Sequence, residues 1–230
     1  MQPYLFPYPG YFQLVAAVDR FVFYDDVQFI QRGWINRNAT AGGRFTVPLV
    51  RSGRDTLIAE KEILADGYAA FVHKWERGFR HHYARAPHRA EVLDLATRVW
   101  FPRPVSIAEL AERSVLAVAE HLELATSFVR SSDLDYDRSS GGATRMLNLL
   151  ATQPSGGGAT YINMAGGRDL YQEEAFHRRG WELRFLQPDF PADDFLYTHS
   201  ILHLLAHRSP EACRQVLHQH YQLSPDVSTP

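Results

Sequence analysis

Short β-forming runs alternate with helix-forming runs along most of this chain, and that alternation restricts it to an α/β layer architecture. The first run, FVFYDDVQFI at 21–30, is the densest in β-formers and reads as one strand. FTVPLV at 45–50 reads as a second, with Pro48 marking an edge or a strand end. Further strands are expected at 127–131, 160–164 and 183–186; 58–63 is ambiguous. Helices are expected at 12–19, 68–85, 91–100, 107–123, 142–151, 170–178, 200–207 and 210–220. Phe71, Trp75, Phe79 and Tyr83 recur every fourth residue in the second of these, and Ser106 stands where it can cap the fourth. The expectation is a single α/β domain over 1–230, with a mixed, mainly parallel sheet flanked by helices. The run at about 68–123 reads as a helical insertion or lobe.

Charge narrows the function. Twenty-four Lys and Arg face 26 Asp and Glu, a net charge of −2. A non-specific nucleic-acid binder needs a strongly basic face, so nucleic acid is not an expected partner. The lone Cys213 excludes a disulfide within the chain and a cysteine zinc site, and suits a reducing cytoplasm. No apolar run approaches the roughly 20 residues of a membrane helix, and MQPYLFPYPGYF lacks the pattern of a signal peptide. Lys61 and Lys74 are the only lysines, and neither lies in a polar constellation that suits a Schiff base.

The strand FVFYDDVQF carries the first candidate chemistry. By strict alternation Asp25 shares a face with Phe21, Phe23, Val27 and Phe29, while Asp26 and Gln28 share the other with Tyr24. A carboxylate on an apolar face is costly without partners. Asp25 is therefore either a general acid or base in a cleft, or a strand-end cap. Asp26 and Gln28 suit hydrogen bonds to a polyhydroxyl ligand, or a solvated face. The segment QRGWINRN follows, with Arg32, Asn36, Arg37 and Asn38 around Trp34. Guanidinium groups clamp carboxylate or phosphate, and an indole stacks on a sugar or base; the plainer alternative is an exposed polar hairpin. The opening QPYLFPYPGYF sets Gln2, Tyr4, Tyr8 and Tyr11 on a proline-stiffened loop, either a wall of a binding site or a plug in the core.

The glycine-rich clusters are short loops: 139–142, 154–158 and 166–167. SSGGATR offers amides at a helix start beside Arg145, an arrangement that can hold an anion. It is not a phosphate-binding P-loop, and INMAGG is no dinucleotide fingerprint. His199, His203 and His207 fall four residues apart, a spacing that can hold zinc on a helix, but no glutamate follows the first and no third ligand is evident. One of them, His199, is a candidate acid or base; no metal is expected. Cys213 has no partner pattern of a thiol nucleophile, and no nucleophile-elbow serine exists.

These residues together resemble the WbqC-like protein family. QPYLFPYPGYF, DDVQF, RGWINRN and FTVPL carry the resemblance, supported by YARAP, the paired Ser131 and Ser132, GATRML, GATYINMAGG, FLQPDFP and SILHLLAH. The resemblance adds Ser132 to the substrate-binding candidates. It also implies a short strand before Gln2, where Met1 stands, and an Asp where His203 stands. It implies a role in surface-polysaccharide or natural-product biosynthesis. The expected activity is cofactor-independent condensation or transfer joining an amine, on an amino sugar or amino acid, to an acyl or carbonyl group. The product is an amide or an imine, and the substrates are small molecules, free or nucleotide-linked. Asp25 or Asp26 would take a proton from the attacking ammonium, and His199 would return one to the leaving oxygen. Two other readings stand beside it: a nucleotide-binding transferase of class I synthetase-like architecture, and a non-catalytic nucleotide-sugar-binding module. A homodimer is compatible with so aromatic a chain.

Overall fold

The computed structural model describes residues 1–154, 158–191 and 195–225; part of the 154–158 glycine loop lies outside them. The mixed α/β class holds. The chain opens with a loop into α1 (Pro9–Ala16), followed by β1 (Arg20–Phe23), β2 (Arg37–Thr40) and β3 (Gly43–Thr46). Three helices follow, α2 (Tyr68–His82), α3 (Arg89–Trp100) and α4 (Ile107–His121), then β4 (Ser127–Arg130) and α5 (Gly142–Ala151). The last part holds β5 (Thr160–Met164), α6 (Glu173–His177), β6 (Glu182–Pro188), α7 (Phe195–Thr198), α8 (Ile201–His207), α9 (Pro210–Gln219) and β7 (Tyr221–Pro225).

The strands form three small sheets where one mainly parallel sheet was expected. β1 pairs with β4 in parallel, β2 with β3 antiparallel, and β6 lies between parallel β5 and antiparallel β7. β2 and β7 were not expected at all. The run 21–30 is not one strand either: β1 ends at Phe23. Beyond it the backbone finds irregular partners, with the Asp25 carbonyl accepting from Ala59 N–H and the Val27 carbonyl from Ile58 N–H, each at 2.9 Å. Asp25 and Asp26 therefore do not sit on opposite faces of a strand, and both are buried. β3 stops at Thr46, before Pro48, and of the helix expected at 170–178 only Glu173–His177 forms, following a 3₁₀ segment at Ala165–Leu170.

The helices follow their apolar spacing. α2 buries Tyr68, Val72, Trp75 and Phe79 on one face, and its aromatic ladder continues to Tyr83, whose ring lies 4.2 Å from that of Phe79. Ser106 caps α4, accepting from Glu109 N–H at 3.2 Å. Buried side chains of α2, α3 and α4 belong to the same apolar cluster as Leu5, Phe12, Phe23 and Leu217, so the three helices share the core of the rest of the chain.

The N-terminal loop is locked into that core. Phe6 is fully buried with a positive φ of 42°, strained for a bulky residue. Its N–H donates to Ser114 Oγ at 2.8 Å, and its carbonyl accepts from Asn38 Nδ2 at 2.6 Å and Ser200 Oγ at 2.8 Å. Three elements thus hold one strained residue, which is the condition for strain to persist. Gly10 completes the loop because a Cβ there would run into the Tyr8 ring and Pro188 Cγ.

Candidate functional site

β1 and β4 run side by side, with Phe23 opposite Arg130, and both chains leave the pair at its carboxyl end. One delivers Asp25 and Asp26. The other turns through a single 3₁₀ turn, Ser131–Asp133, and delivers Ser131 and Ser132. Parallel pairing is what brings these four residues together, although more than 100 positions separate the two dipeptides in the chain.

The two carboxylates are held differently. The Ser131 hydroxyl lies 2.5 Å from Asp26 Oδ1 and 3.1 Å from Asp25 Oδ1. It has one proton to give, and the shorter contact goes to Asp26. Asp26 Oδ2 also accepts from Tyr136 Oη and Arg138 Nε, each at 2.7 Å, and lies 3.3 Å from Arg145 Nη2. Burial raises the Asp26 pKa, but hydrogen bonds from Ser131, Tyr136 and Arg138 and the charge of Arg145 outweigh it. The carboxyl is held below its ordinary range. Asp25 meets no cation within ion-pair distance among the described residues. Its oxygens accept from Ser132, N–H to Oδ1 at 3.0 Å and Oγ to Oδ2 at 2.8 Å. Asp25 is 2% exposed, whereas Ser132 faces solvent.

Arg138 and Arg145 frame this pair. The Arg138 guanidinium lies over the Tyr136 ring at 4.3 Å and donates to the carbonyls of Ser131 and Leu134 at 3.0 and 2.7 Å. Arg145, in the first turn of α5, donates to the Asp26 carbonyl at 2.7 Å. A third carboxylate stands nearby. Glu112 on α4 is 2% exposed and accepts from Arg130 Nε at 2.5 Å through Oε2, while its buried Oε1 has no hydrogen-bond partner among the described residues. Burial pushes Glu112 up to about 7; Arg130 opposes this, and the charges of Asp25 and Asp133 add to it.

The structure brings Asp25, Asp26, Ser132 and Arg145 into one cluster. Other candidates lie elsewhere. Gln28 is exposed and donates to the Arg54 carbonyl at 2.7 Å. Asn36 is buried and donates to the Val47 carbonyl at 3.0 Å, tying down the 31–36 loop. On that loop Trp34 is exposed, Arg37 lies over it at 5.7 Å while donating to the Gly33 carbonyl, and Arg32 faces solvent. No hydrogen bond or ion pair among the described residues joins this loop to the carboxylates. Arg138 and Arg145 supply the guanidinium groups in place of Arg32 and Arg37. Tyr11 is fully buried, its hydroxyl donating to the Gln2 carbonyl at 2.9 Å, and Tyr4 and Tyr8 pack against the core. His199 stacks on Phe195 and contacts Thr198 Oγ1 at 3.0 Å; His203 meets the Tyr83 hydroxyl at 2.7 Å. No group of three or more His, Cys, Asp or Glu among the described residues is arranged to hold a metal, and no helix among them is long and apolar enough to cross a membrane.

A family model described as the WbqC-like protein family matches residues 2–215. The chain belongs to that family. The span matched by the WbqC-like model takes in every residue of the carboxylate cluster, from Asp25 to Arg145. The chain is also similar to the uncharacterised protein Rv1507c of Mycobacterium tuberculosis (strain ATCC 25618 / H37Rv), 31% identical over 175 residues, which is 74% of this chain and 73% of that one. No solved structure matches it.

Tyr136, Arg138 and Glu112 escaped the sequence reading. Tyr136 and Arg138 sit in DLDYDRSSGG, a polar loop with no periodicity to separate them from solvated neighbours. Glu112 did leave a signal: it interrupts the apolar stripe Ala108, Ala111, Val115 and Ala119 on α4.

Proposed function

We propose that this protein joins an amine to an acyl or carbonyl carbon in the cytoplasm, with Asp25 as the proton acceptor. The observation that carries this reading is the contact between the exposed Ser132 hydroxyl and the buried Asp25 carboxylate. A general base needs a lone pair within reach of the reacting proton, directly or through one bridging group. Asp25 has one, with Ser132 as the bridge to solvent. Asp26 is committed to Tyr136 and Arg138 and acts as the frame. In the condensation an ammonium gives one proton to Asp25 and attacks the carbonyl carbon with the freed lone pair. Collapse of the adduct expels the leaving group, which takes the proton back from Asp25, and the nitrogen releases its remaining extra proton to water, so each turnover yields the product, the free leaving group and one proton. With an aldehyde or ketone the leaving group is water and the product an imine. The substrate class, an amino sugar or amino acid with an activated or carbonyl partner, follows from the family resemblance.

The test uses the purified chain with a panel of amino sugars and amino acids, each paired with thioester, phosphoanhydride or aldehyde partners. Mass spectrometry reads the condensation product. Asp25→Asn, checked for fold by circular dichroism, is expected to lose product formation; full turnover in that variant ends the assignment. A nucleotide-linked sugar that binds by calorimetry but gives no product with any partner would make the chain a binding module.

A further inference from the structure

From Ile30 to Arg54 the chain holds five arginines, Arg32, Arg37, Arg44, Arg51 and Arg54, and no aspartate or glutamate. The whole chain carries −2 and this run +5, so the residues outside it carry −7. Among the described residues none of the five takes part in a salt bridge. The fold gathers them. Phe29 N–H donates to the Thr56 carbonyl at 2.9 Å and Gln28 bridges Leu57 in antiparallel fashion, so the chain leaving Phe29 runs beside Arg54 and Asp55. β2 and β3 set Arg37 opposite Thr46 and Ala39 opposite Arg44. Opposed residues share a face, so Arg37 and Arg44 stand on the outer side of this hairpin, away from buried Asn38 and Phe45. The loop that joins the two pieces bears Ile30 and Trp34, 54% and 48% exposed. Its shape is fixed from within: Gly33 N–H closes a turn on the Ile30 carbonyl at 3.2 Å, and Arg37 lies over Trp34 while its Nε donates to the Gly33 carbonyl at 2.8 Å. Exposed tryptophan and isoleucine ringed by arginine is the composition of an interaction hot spot.

We propose that this face docks an acidic amphipathic helix of a partner protein, with the apolar side chains of the helix on Ile30 and Trp34 and its carboxylates on the surrounding arginines. A helix suits the face because residues three and four apart lie together on its surface, so carboxylates can flank an apolar side chain. Guanidinium forks take carboxylates in bidentate fashion. A polysaccharide or nucleic-acid polyanion fits less well. It would use the arginines, leave Ile30 uncovered and run on over a surface whose net charge of −7 repels it. The proposal stands independently of the condensation, because none of these residues is bonded to the carboxylate cluster.

Fluorescence anisotropy on the full chain tests it. One labelled helical peptide carries glutamates around a leucine face, a second keeps the glutamates but has serine for every leucine, and heparin serves as the polyanion. The leucine peptide is expected to bind with Kd on the order of 100 μM, and roughly tenfold tighter than the serine peptide. Arg51→Glu combined with Arg54→Glu changes only exposed, unpaired side chains and should weaken the leucine peptide roughly tenfold with an unchanged circular dichroism spectrum. Trp34→Ala should weaken it about as much, roughly tenfold. Failure of the leucine peptide to bind at about 1 mM overturns the proposal, as does unchanged affinity in the charge-reversed variant. Equal binding of the two peptides, or tighter binding of heparin than of either, also overturns it and makes the face a general polyanion site. Self-association in the ultracentrifuge that the charge reversal abolishes would put a second copy of the chain on the face and overturn it as well.

Discussion

The Ser132 hydroxyl donates to Asp25 Oδ2 at 2.8 Å, so a solvent-facing group touches a carboxylate that is itself 2% exposed. The two residues have separable effects. Asp25→Asn keeps the size and removes the base, and turnover is expected to fall by about 10²–10⁴-fold. Ser132→Ala leaves the base but removes its bridge. A smaller fall, about tenfold, is expected in kcat with KM little changed. A serine variant as inactive as the aspartate variant would instead mark Ser132 as the nucleophile.

Asp26 is the structural partner of the pair. Removing one member of a buried ion pair leaves the others uncompensated, at a cost of about 3 kcal/mol or more. Asp26→Ala is expected to lower stability by about 3 kcal/mol, read by urea unfolding. Arg138→Ala should cost less, about 1 kcal/mol, because its side chain is 36% exposed and water can replace part of its role. Equal losses would show that Asp26 is not the hub. The carboxyl is held below its ordinary range, so its contribution is complete above that range and disappears as pH falls through the lowered folded value.

The helices were legible because burial on one face leaves a period in the sequence: α2, α4 and α5 fall close to where their apolar spacing and caps put them. The strands were legible as β-forming runs but not as a topology. Pairing of β1 with β4 joins residues more than 100 apart, and local pattern carries no record of such a partner. The site divides on the same line. Asp25 and Asp26 stood out as carboxylates in an apolar run, whereas Arg138 became the counter-ion of Asp26 only through that pairing. Arg32 and Arg37 are nearer in sequence, yet among the described residues neither makes a hydrogen bond or ion pair with the two carboxylates.

Arg32 still allows a clean test of the exposed loop. It adopts φ of 62°, a left-handed conformation that costs a non-glycine residue roughly 1–2 kcal/mol. Arg32→Gly is expected to raise stability slightly. If the guanidinium grips the substrate, KM rises in the same variant while Tm goes up. A variant with both quantities improved would remove Arg32 from the binding surface.

Asn38 holds the N-terminal loop from inside. Its Nδ2 donates to the Leu5 and Phe6 carbonyls, both buried. Asn38→Ala leaves these acceptors without that donor and is expected to cost about 2 kcal/mol. Limited proteolysis gives a second readout, because cleavage near 1–12 should quicken before global unfolding does. A loss of stability with an unchanged cleavage pattern would place the damage elsewhere.

Glu112 makes the opposite contribution to pH dependence from Asp26. Burial pushes it up to about 7 from 4.5, against the pull of Arg130 and with the help of Asp25 and Asp133. The folded state therefore keeps a proton that the unfolded chain releases. Stability from this residue is complete below about pH 4.5 and declines as pH rises towards 7, where it levels off. The decline is at most about 3 kcal/mol. Glu112→Gln carries a neutral side chain of the same shape whose amide oxygen can still accept from Arg130. It should therefore match the wild type at pH 5 and exceed it at pH 8 in thermal melts. Parallel Tm curves for the two proteins over that range would show that Glu112 ionises freely in the fold. The unpartnered Oε1 would then have to be reached by water that bonds it.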